Sequence, residues 1–196
     1  VKTNIRSNCI MDFEATETVI RNMLSNYPER KCKVYLLHGD LTPGQMTGLY
    51  QDSKISALIN ISHGEGFGLP LFEAAREALP VITVGWSGQV DFLCHNGKEY
   101  FQKVKHTIQP VQKQAVWKNV IEEGTMWAFA EQGSYKMTLR RTLKNIDKCR
   151  KTAIELQKII NENFSDEKLF QLFCDSIHKQ DPETEKWLSE LQELEN

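Results

Sequence analysis

The residues able to do chemistry gather in one segment, Ser62-His63-Gly64-Glu65-Gly66-Phe67-Gly68-Leu69-Pro70-Leu71-Phe72-Glu73. Glycine fills three of the five positions from 64 to 68. Such a backbone can take positive φ and come close to a ligand. Pro70 suits the first turn of a helix. A helix start offers unpaired N–H groups and the positive end of its dipole, which together attract an anion. The N–H groups of Phe67 to Leu69 are the expected donors to a diphosphate. Two carboxylates flank them, and carboxylates repel phosphate but accept readily from hydroxyls. Glu73, one turn into the helix, is placed for ribose hydroxyls, and Glu65, on the loop, for hydroxyls of a second sugar. Phosphate held by backbone and two sugars held by acids is the chemistry of a nucleotide sugar.

The elements that must position this segment follow from patterning. Ile55 to Ile61 reads as a buried strand leading into the loop, Pro70 to Leu79 as the helix after it, and Pro80 to Val84 as the next strand. Upstream, Asp12 to Leu24 reads as a helix, and Val1 to Ile5 as the tail of an earlier strand. Val34 to Leu37 reads as a strand, and Thr42-Pro43 as the cap and start of a helix reaching Tyr50. Continuously apolar strands alternating with helices predict an α/β fold: a Rossmann-like parallel sheet with helices on both faces, followed by C-terminal helices. Ligands of such sheets sit beyond the carboxyl ends of the strands. Residues 96–133 read as irregular, with short elements. Ser134 to Ile160 is strongly helical, and Ser165 caps a further helix to about His178. The expected division is a nucleotide-sugar-binding domain over 1–180 and an acidic amphipathic helix over 181–196, with Trp187, Leu188 and Leu191 on one side.

Composition narrows the class. The chain has 196 residues, 40% hydrophobic and 26% charged, with net charge −2. It has no global positive field of the kind nucleic acid requires, and no nucleic-acid partner is expected. The basic block Arg140, Arg141, Lys144, Lys148, Arg150 and Lys151 reads first as a solvated helix face, and second as a peripheral contact to an anionic membrane or a partner. Five scattered cysteines without a CxxC pair suit a reducing compartment, so a cytoplasmic location is expected. No apolar run approaches transmembrane length.

Glu65 and Glu73 stand eight apart, and the string Glu-Gly-Phe-Gly-Leu-Pro-Leu-Phe-Glu-Ala-Ala from Glu65 to Ala75 resembles the E-x7-E signature of retaining GT-B glycosyltransferases of the family-4 type. His38-Gly39-Asp40-Leu41 is similar to that family's glycine loop beside the base. Pro80 to Val84 with Ser87-Gly88-Gln89-Val90-Asp91 is similar to its next strand and turn, and Asn163-Phe164-Ser165 to its Phe-Ser pair before the closing helices. The resemblance implies the C-terminal, donor-binding half of a GT-B fold. It implies a retaining hexosyl transfer from a UDP- or GDP-hexose to a saccharide or other acceptor, with no cofactor and no metal. No Asp-x-Asp is present to hold a divalent cation. On this resemblance Glu65 has the catalytic position, and Gly64, Gly66, Phe67, Gly68, Leu69, Glu73, Gly39 and Leu41 bind donor. The family's first strand and its Arg and Lys against the diphosphate are expected upstream of Val1, as is the acceptor-binding domain. Lys2 and Arg6 do not replace that Arg and Lys. The 196 residues alone are therefore expected to bind nucleotide weakly and to transfer nothing.

Other readings stand beside these. The side chains of Phe67, Leu69, Leu71 and Phe72 are expected to pack rather than touch sugar. His63 reads equally as a sugar-pocket residue or a structural hydrogen-bonder, Asp91 as a helix cap or a rim residue, and Trp86 as pocket edge or core. The alternative functions are a GT-B-like nucleotide-sugar epimerase, a phosphorylase, which has no visible pyridoxal-lysine context here, and a non-catalytic binding module.

Overall fold

The computed structural model describes residues 1–6, 9–177 and 186–187. The chain forms two compact units, Val1–Leu49 and Tyr50–Asn196. The first is built on helix α1 (Ile10–Ser25). The strand expected at Val34 to Leu37 is reduced to one parallel bridge between Lys2 and Leu37. Leu37 N–H donates to the Val1 carbonyl at 2.8 Å and Thr3 N–H to the Leu37 carbonyl at 3.2 Å. A lone parallel pair lacks the neighbouring strands that stabilise a ladder, so regular pairing does not propagate. Helix α2 (Pro43–Gln51) starts as expected. Gln45 N–H donates to Thr42 Oγ1 at 3.3 Å and Thr42 N–H to Gln45 Oε1 at 2.9 Å, a reciprocal capping box.

Asp12 is buried and ties the first unit together. Its carboxylate accepts from the N–H groups of Ile5 at 3.1 Å and Arg6 at 2.8 Å, and lies 2.8 Å from His38 Nε2. The hydrogen bond to His38 is the largest influence on its acidity. With the two backbone donors it outweighs burial and holds the carboxyl below its ordinary 3.8. A depressed carboxylate pKa adds stability that is complete above the unfolded value and is lost as pH falls through the folded one. The N-terminal segment is therefore expected to detach in acid below 3.8. The amide resonances of Ile5 and Arg6 should report this over that range, and Asp12→Asn should remove most of the dependence.

In the second unit, strand β1 (Leu58–Asn60) leads through the glycine loop into helix α3 (Leu69–Arg76), and strand β2 (Val81–Val84) follows. Leu79 N–H returns to the Ala74 carbonyl at 2.9 Å, which turns the chain from helix to strand. A four-residue helix, α4 (Val90–Leu93), precedes a small antiparallel pair, β3 (Cys94–His95) and β4 (Lys98–Glu99). Strand β5 (Gln102–Val104) completes a parallel sheet in the order β1-β2-β5, with Ile59 opposite Ile82 and Ile82 opposite Gln102. Every residue of β2 is buried. Ile82 and Val84 form a core with Val104, Ala57, Ala130, Tyr135 and Leu139. Val81 and Thr83 point the other way by strand alternation and are buried too. The architecture is mixed α/β, a parallel sheet flanked by helices, as in Rossmann-like folds.

Residues 96–133 are more regular than their composition predicts. Beyond β5, strands β6 (His106–Pro110) and β7 (Met126–Ala130) pair antiparallel over five residues each. The expected helix from Ser134 to Ile160 is two helices, α5 (Gln132–Lys144) and α6 (Ile146–Asn163), broken at Asn145. Asn145 Nδ2 and N–H both donate to the Arg141 carbonyl, at 2.8 and 3.1 Å, which ends the first helix. Helix α7 (Asp166–Ile177) starts with Lys168 N–H on Ser165 Oγ at 3.3 Å, so Ser165 is its cap. The helix expected over 181–196 lies outside the described residues, apart from 186–187. Among the described residues no helix is long and apolar enough to cross a membrane.

Candidate functional site

Gly68 precedes α3 in the left-handed region, with φ 89° and ψ 50°. It is buried, and a Cβ there would lie 3.0 Å from Leu71 Cδ1 and 3.3 Å from Gln89 Cβ. The chain thus enters the helix sharply, and the Gly68 carbonyl accepts from the N–H groups of Leu71 and Phe72 at 2.9 and 3.0 Å. Among the described residues no acceptor meets the N–H groups of Gly66, Phe67, Gly68 or Leu69. Four successive free donors lead into the positive end of a helix. Such an arrangement can hold an anion.

The loop is gripped from the far side by the turn after β2. Ser87 Oγ donates to the Glu65 carbonyl at 2.7 Å and accepts from Glu65 N–H at 3.2 Å. Gly88 N–H donates to the same carbonyl at 3.0 Å. The approach is so close that a Cβ on Gly88 would overlap the Gly66 carbonyl oxygen and stand 2.7 Å from its carbon. Gln89 is fully buried and donates through Nε2 to the Val84 carbonyl at 3.2 Å. Sequence singled out Ser87-Gly88 as a turn but not as the clamp on the loop. Two small residues three and four positions past the end of a buried strand were the available signal.

Each glutamate is tethered through one oxygen. Glu65 Oε1 accepts from Asn60 Nδ2 and Ser62 Oγ, both at 2.8 Å. Glu73 Oε2 accepts from the Tyr50 hydroxyl at 3.1 Å. Burial of Tyr50, followed by the hydrogen bond and charge of Glu73, pushes the phenol far above its ordinary range, so it remains a donor. Among the described residues Glu65 Oε2 and Glu73 Oε1 meet no donor, and both are available to hydroxyls. Asn60, Ser62 and Tyr50 were not legible as site residues. Of the three, Asn60 left a signal, as a polar side chain in an apolar run; the strand expected there as buried is only partly so, with Ile59 exposed.

The remaining expected residues divide. Phe67 packs its ring on Phe72 and Phe92, with centroids 5.2 and 5.1 Å away, and Leu71 is fully buried. Leu69 does not pack as expected: it is 58% exposed. His63 takes the structural role, since only a protonated Nδ1 can meet the Ala128 carbonyl at 2.8 Å. Its ring stacks on Trp127 at 4.8 Å, which joins the loop to β7. Asp91 lies in the first turn of α4 and is exposed. Gly39, buried at φ 87°, and Leu41 belong to the first unit. Burial pushes the thiols of Cys94 and Cys149 up, so neither is poised as a nucleophile.

No protein-family model matches the chain, and no solved structure matches it. Three curated proteins of Escherichia coli that carry the name serotype-specific mannosyltransferase WbdA are each 44% identical to it over 59 residues. The similarity covers 30% of this chain and 7% of the length of each of those relatives.

Proposed function

We propose that the loop from Ser62 to Glu73 is the donor site of a glycosyltransferase, the nucleotide-sugar-binding half of a GT-B architecture that transfers a hexose with retention. The observation that carries this reading is the run of four free N–H groups at the start of α3, flanked by two carboxylates that each keep one oxygen unused. The backbone donors and the helix dipole would stabilise the departing diphosphate without a metal. Glu73 would hold the ribose and Glu65 the hexose. Similarity to a mannosyltransferase makes mannose the first hexose to try, on GDP and on UDP alike.

The test is calorimetric titration with GDP, UDP and their hexose conjugates. Glu73→Ala should weaken binding of both nucleotide and nucleotide sugar by about 1.5–3 kcal/mol, the range for a hydrogen bond to a charged group. Glu65→Ala should leave nucleotide binding nearly unchanged and lower the preference for the sugar conjugate. Identical titrations for wild type and both variants would reject these roles.

A further inference from the structure

We propose that Asn60, Ser62 and Ser87 are positioning residues that select the transferred sugar by fixing Glu65. The inference rests on the donor-site reading above and goes beyond it in saying which oxygen meets the sugar and what aims it. Glu65 is held at both ends. Its backbone N–H and carbonyl are engaged by Ser87 Oγ, and its Oε1 takes two donors, Asn60 Nδ2 and Ser62 Oγ, at 2.8 Å each. Asn60 is itself fixed, because its Oδ1 accepts from Ser62 N–H at 2.8 Å, closing a ring of bonds from the end of β1 to the carboxylate. Ser87 adopts a left-handed φ of 72°, a conformation costly for a residue with a side chain. Strain of this kind persists where surrounding bonds enforce it, and here they are the bonds to Glu65.

With Oε1 already accepting two hydrogen bonds, Oε2 is left for a hydroxyl. The carboxylate cannot rotate to offer Oε1 without breaking two bonds. It therefore presents one acceptor oxygen with two of the four directions left, and distinguishes sugars by whether a hydroxyl lies along either. A loosely held carboxylate would offer four acceptor directions and discriminate poorly.

The experiment measures Kd for GDP-mannose and for GDP, and for UDP-glucose and UDP, with the 196-residue chain. Asn60→Ala and Ser62→Ala are each expected to lower the Kd ratio of nucleotide to nucleotide sugar by about three- to tenfold, while the Kd of the bare nucleotide stays within about twofold. Ser62→Thr, which keeps the hydroxyl, should restore the ratio. In a Glu65→Ala background neither alanine variant should change it further, because the coupled partner is gone. Thermal melting of each variant confirms that it is folded. A Glu65→Ala effect on the ratio with none from Asn60→Ala or Ser62→Ala would overturn this inference and leave the donor-site reading intact. Equal affinity of the wild-type chain for nucleotide and nucleotide sugar would overturn both.

Discussion

Phe92→Ala is expected to lower the stability of the second unit by about 3–5 kcal/mol, as loss of a buried aromatic ring does. The ring is 2% exposed and meets Phe67 and Phe72 with centroids 5.1 and 5.2 Å away. Phe67 belongs to the glycine loop and Phe72 to α3, and Phe72 also meets Phe164 at 5.4 Å. One truncation therefore opens a cavity beneath the loop and the helix start together. Chemical denaturation measures the stability loss. Phe92→Leu should recover part of it, because much of the volume returns. A loss below about 1 kcal/mol would mean that the cluster is not the support of the loop.

Gly88→Ala is expected to displace the loop and remove nucleotide binding. The added methyl would meet backbone, the Gly66 carbonyl group and the Glu65 oxygen 3.0 Å away, and no side-chain rotation relieves that. Overpacking against a fixed group costs about 1–3 kcal/mol, and relief requires the turn to part from the loop. That parting breaks the Gly88 N–H bond and both Ser87 bonds to Glu65. Gly133→Ala, in the first turn of α5, is the control, since nothing lies within 4 Å of its Cβ position. Titration should show binding lost in the first variant and largely kept in the second. Retained binding in Gly88→Ala would show that the turn does not shape the loop.

Much of this was legible in the sequence because local chemistry decided it. The apolar run before the loop, Pro70 and the glycines each had one consistent reading, and they gave β1, α3 and a left-handed entry at Gly68. Thr42 and Ser165 were readable as caps for the same reason. Most of what escaped depended on partners distant in sequence. Gln102 to Val104 carries two polar residues in three, yet is the third strand because Val84 and Val104 share one core. β6 is largely polar and β7 wholly apolar, and they become a ribbon only against each other. The break at Asn145 was hidden because asparagine is a modest helix former, and its side chain ends the helix by bonding the Arg141 carbonyl. At the site, the glutamates were visible as types. The tether of Glu73 and the backbone clamp on Glu65 were not, because Tyr50 reaches Glu73 across 23 positions and the bonds from Ser87 to Glu65 span 22.

The most direct measurement of the central claim is a titration of the isotopically labelled chain with GDP, UDP and inorganic pyrophosphate, followed by amide resonances. The backbone N–H groups of Gly66, Phe67, Gly68 and Leu69 should shift together and saturably with the nucleotides, and in the same direction with pyrophosphate. Shifts confined to other residues, or none at these four at millimolar ligand, would contradict a diphosphate held at the start of α3.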